Sequence, residues 1–151
     1  MAFSQFDIIG ALNTYCETNG IVFIWHYNEF EANITASQQY NTDQLILVVD
    51  LRPSPIMAEY GNKISEIAYS GLFMLGKKFD ATGQPASPEE FAIQKYERRL
   101  LDLMQLLVYH AGAFKCEHDL GLTIGAMSYL INAFDSNIDF AVAEALTFTQ
   151  L

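Results

Sequence analysis

Ile138-Asp139-Phe140-Ala141-Val142-Ala143-Glu144-Ala145-Leu146-Thr147-Phe148 decides the fold class. Large apolar residues at Ile138, Phe140, Val142, Leu146 and Phe148 alternate with Asp139, Ala141, Ala143, Ala145 and Thr147. A period of two argues a strand with one apolar face. Just before it, Phe134-Asp135-Ser136-Asn137 reads as a turn. Leu122 to Ile131 mixes β-branched, aromatic and small residues, open to strand or helix, with strand preferred. Phe114 to Glu117 is read as a further short strand, so the chain closes in sheet after Gly112.

Upstream lies the clearest helix signal. Ser87-Pro88-Glu89-Glu90 places a capping hydroxyl, a proline at the first helical position and a glutamate three residues after the cap. From Pro88 to Tyr109, Tyr96, Leu100, Leu103 and Leu107 form one stripe, with Arg98 and Asp102 paired on the other face. The spacing predicts a helix of about six turns. Lys63 to Lys77 is a long strand, with Ile67, Tyr69, Phe73 and Leu75 on one face and Ala68, Leu72 and Met74 on the other. Gln44 to Leu51 is another, expected to end at Arg52-Pro53-Ser54-Pro55 because proline cannot donate to a ladder.

Ile21 to Trp25 is a short strand, and Ser4 to Thr18 is a helix stopped by Asn19-Gly20. The polar stretches Asn33–Asp43 and Asp80–Ser87 read as loops inside one domain spanning 1–151. The expectation is an α+β fold: an antiparallel or mixed β-sheet packed against a long central helix and an N-terminal helix.

Hydrophobic residues make up 51% of the 151 residues and charged residues only 17%, against roughly 25% in ordinary soluble domains. Either the core is unusually large for the size or some apolar surface is covered by partners, and 11 Phe and 8 Tyr favour the second. A formal charge of −10 argues against binding to nucleic acid or to an anionic membrane. Met1 to Asp7 carries no basic segment before an apolar one, so no signal peptide is expected. Cys16 and Cys116 stand in no paired motif, which suits a reducing compartment.

The search for chemistry finds no strong site. Gly61-Asn62-Lys63-Ile64-Ser65 lacks phosphate-loop spacing and reads as a turn. Cys116-Glu117-His118-Asp119, with His110 nearby, is the densest group of metal-capable side chains. On a strand Cys116 and His118 would share a face, but no third and fourth ligand follow at recognisable spacing, so a polar connection is preferred and no metal or other cofactor is expected. Glu29 with Glu31, and Glu89 with Glu90, have no partner that would make them an acid–base pair. Trp25-His26-Tyr27 reads as strand-end packing, and Asp50 with Arg52 as an ion pair at a strand exit.

Three pieces of this order carry a resemblance. They are the helix and strand of Phe3 to Tyr27, the paired strands Leu45–Pro55 and Ile67–Asp80, and a long helix before two closing strands split by Phe134-Asp135-Ser136-Asn137. The chain resembles the tail terminator and tail completion proteins of tailed bacteriophages, small subunits at the head-to-tail junction. The resemblance spans nearly the whole chain as an order of elements and rests on no invariant motif. It implies a non-catalytic virion structural protein in the tail or neck, made in the bacterial host cytoplasm. It also implies a homo-oligomeric ring, a hexamer by preference, contacting tail-tube and neck or portal-proximal proteins. DNA would pass the lumen without specific binding. Under that reading Trp25, Tyr27, Tyr69, Phe73 and Leu75 are expected at the subunit interface. Two alternatives stand beside it: another neck or head–tail adaptor protein, and an acidic adaptor or immunity-type protein that masks a basic partner.

Overall fold

Six strands form one sheet in the computed structural model, which describes residues 6–25, 44–57, 61, 64–78, 94–131 and 138–150. In chain order the elements are α1 (Ile8–Asn19), β1 (Val22–Trp25), β2 (Leu45–Met57), β3 (Ile64–Lys78), α2 (Gln94–Glu117), β4 (Leu120–Ile124), β5 (Met127–Leu130) and β6 (Ile138–Gln150). The sheet order is β1-β2-β3-β6-β4, with β5 also paired to β6. β1 runs parallel to β2 and every other pairing is antiparallel. The fold is therefore α+β with a mixed sheet, as the element pattern indicates.

Local chemistry sets the ends of α1. The Asp7 carboxylate accepts from the Gly10 N–H at 3.0 Å and satisfies a donor that the first turn leaves open. Gly20 closes the helix at φ +68°, and the Ile21 N–H returns to the Cys16 carbonyl at 2.9 Å. The chain then enters β1 directly.

Both helices pack on one face of the sheet. Ile8, Leu12 and Cys16 from α1, with Leu103, Leu107 and Phe114 from α2, meet Leu47, Val49, Phe73, Leu75, Leu146 and Phe148. Ile24, Ile46, Val48, Met74, Ile138, Phe140 and Val142 form a second buried cluster on the opposite face. A sheet apolar on both faces explains why β2 and β3 read as near-continuous apolar runs.

Three expectations need correction. Phe114–Glu117 is not a strand but the end of α2. The stripe through Leu100, Leu103 and Leu107 continues at helical spacing to the buried Ala111 and Phe114, and that burial outweighs the weak helix preference of Gly112. The first helical residues expected at Ser87–Glu90 lie outside the described residues, as does the side chain of Tyr96.

Nor does β2 stop at its prolines, because Pro53 pairs with Tyr69 and Pro55 with Ile67. Among the described residues β1 accompanies β2 only as far as Val49, and no other strand pairs with that side of β2 beyond it. Two prolines spaced by two turn their missing donors to the same side, and an edge tolerates that.

The alternation in β6 also does not mark a single face. Gly71 pairs with Leu146 and Phe73 with Ala143, so β6 holds one more residue than β3 over that interval. This bulge at the exposed Glu144 and Ala145 reverses the pattern. Ile138, Phe140 and Val142 join the second cluster, whereas Ala141, Ala143, Leu146 and Phe148 face the helices. Gly71 sits at the bulge with φ +150°, where a Cβ would overlap the Asp50 carbonyl oxygen.

The strand reading of Leu122–Ile131 holds, as β4 and β5. Their pairings to β6 keep one register across the break at Gly125-Ala126. Register also places β1 and β5 at one level of the sheet. Phe23, Leu47, Leu75, Ala141 and Tyr129 form one row across five strands, and Trp25, Val49, Phe73, Ala143 and Met127 form another.

Candidate functional site

Among the described residues, Asp139 is the buried charged side chain. Asp139, only 2% exposed on β6, receives the Arg99 guanidinium of α2 at 2.7 Å. A charge so deep in a protein requires a partner of this kind. On β2, Arg52 Nε lies 3.4 Å from the Asp50 carboxylate, matching the pair expected at that position.

Tyr15 of α1 and His110 of α2 are hydrogen-bonded at 2.7 Å between the phenolic oxygen and Nδ1. Burial, helped by the charges of Tyr109, Cys16 and Glu117, pushes the Tyr15 hydroxyl up to about 12. Burial pushes His110 the other way, below its usual value. Both shifts favour the neutral form of each group. The contact clamps the two helices together.

The segment from Cys116 to Asp119 is the end of α2 and the turn after it, not a strand. Cys116 is exposed in the last turn of α2, and His118 follows the helix end with its ring against Phe6 and Phe114, at 5.3 and 4.7 Å between centroids. On a helix, positions two apart point to different sides, so the shared face expected of a strand is absent. Asp119 turns the chain into β4 at φ +52°. No cluster of three metal-capable side chains occurs among the described residues. Cys16 is fully buried, and burial pushes its thiol up to about 12, far from a reactive thiolate. Gly61 is at φ +70° shortly before β3, as a turn requires. Glu29, Glu31, Glu89, Glu90, His26 and Tyr27 lie outside the described residues.

The expected interface residues separate. Tyr69, Phe73 and Leu75 are buried in the chain's own core beneath the helices. Tyr69 also donates its hydroxyl to the Phe6 carbonyl at 2.8 Å. They have no surface to offer a partner, because the face of β3 that carries them is the one the helices cover. Trp25, at the end of β1, is 47% exposed.

Other apolar residues reach the surface instead. Leu101, Val108 and Tyr109 lie on the outer side of α2, and Tyr129 and Leu130 on β5, an edge of the sheet among the described residues. Next to β5, a shallow groove of about 310 Å³ is lined by Leu72, Met74, Ser128, Leu130, Val142 and Glu144. Composition signalled that such surface exists, but its location depends on which strands become edges. Among the described residues no helix is long and apolar enough to cross a membrane. In comparisons with known proteins, no family model and no curated protein matches the chain.

Proposed function

We infer that the protein is a virion structural subunit, a ring-forming tail terminator or tail completion protein at the head–tail junction of a tailed phage, with no catalysis of its own. The observation that carries this reading is the distribution of exposed large apolar side chains. They occupy both edges of the sheet, at Trp25 and at Tyr129 with Leu130, and the outer side of α2, in a chain with only 17% charged residues. A subunit that touches a neighbour on either side needs apolar surface in separate places. The order of elements resembles that family, and a formal charge of −10 suits a lumen along which DNA slides without adhering.

The ring, a hexamer by preference, would meet tail-tube proteins on one side and neck or portal-proximal proteins on the other. Size-exclusion chromatography with light scattering tests this: a closed oligomer is expected, visible as rings by negative-stain microscopy. A particle of 17.0 kDa at high concentration overturns it. The same net charge favours a second reading, an acidic adaptor that masks a basic partner. One strongly basic protein recovered from host lysate by a monomeric chain would support that reading over the ring.

A further inference from the structure

We draw no further inference here: the strongest candidate, the exposed apolar patch of Leu101, Val108 and Tyr109 on the outer side of α2, carries nothing because nothing in the structure shows what covers it.

Discussion

Burial decides what the Tyr15–His110 pair does with pH. His110 has its folded value depressed below the ordinary 6.5, so the unfolded chain binds a proton more readily. Stability from the neutral pair is therefore complete above about pH 6.5 and is lost as pH falls from there towards the folded value. Melting temperature is expected to fall as pH drops below about 6.5, beginning above the range in which ordinary carboxylates titrate. His110→Gln is expected to flatten that slope; an unchanged slope refutes the assignment. Tyr15 acts with the opposite sign, its contribution present below pH 10 and lost towards about 12. The Arg99–Asp139 pair makes a separate prediction at this scale. Arg99→Met strips the 2%-exposed Asp139 of this partner and is expected to cost about 3 kcal/mol, the low end for a broken buried pair because Arg99 is partly exposed. Urea unfolding measures it, and replacing both residues by apolar ones should recover most of the loss. Neither pair was legible beforehand. Residues 15 and 110, or 99 and 139, are far apart in the chain, and only the packing of α1, α2 and β6 brings them together.

Elements whose length is set by local pattern were read well, and those whose limits depend on neighbours were not. Strand β3 matches its expected span almost to the residue, because its apolar alternation and its flanking lysines are local. Helix α2 runs past Tyr109 because Ala111 and Phe114 find core contacts that the chain alone does not reveal. Phe114→Ala is expected to cost about 3–5 kcal/mol, whereas Cys116→Ser, exposed on the same turn, should lie within about 0.5 kcal/mol. Equal effects would contradict the helical reading of this segment. The bulge at Glu144–Ala145 makes the sharpest test of the sheet. Gly71→Ala forces a Cβ against the Asp50 carbonyl at a positive φ, and a loss of about 2–3 kcal/mol in chemical denaturation is expected. The alternation of β6 is present in sequence, yet which half faces the helices is set by one extra residue counted against β3.

For the whole molecule, surface matters more than core. Trp25 is the single tryptophan and is 47% exposed in the isolated chain. If assembly covers it, its fluorescence should shift to the blue and lose acrylamide quenching as concentration rises and mass increases. A rise in mass with unchanged emission places the contact elsewhere. High salt should favour assembly, since it screens repulsion between chains of net charge −10.

Sequence by itself determined the fold class, the principal helices and strands and the surplus of apolar over charged residues, since period, capping and composition act over a few residues at a time. It also indicated that no familiar catalytic motif is present. Only the tertiary structure decided that Tyr69, Phe73 and Leu75 are core while Trp25 and Tyr129 reach the surface, at opposite edges of one sheet. The reason is physical. A strand apolar on both faces gives no sign of which face the helices cover or which strand is an edge, and both depend on pairings between residues distant in the chain.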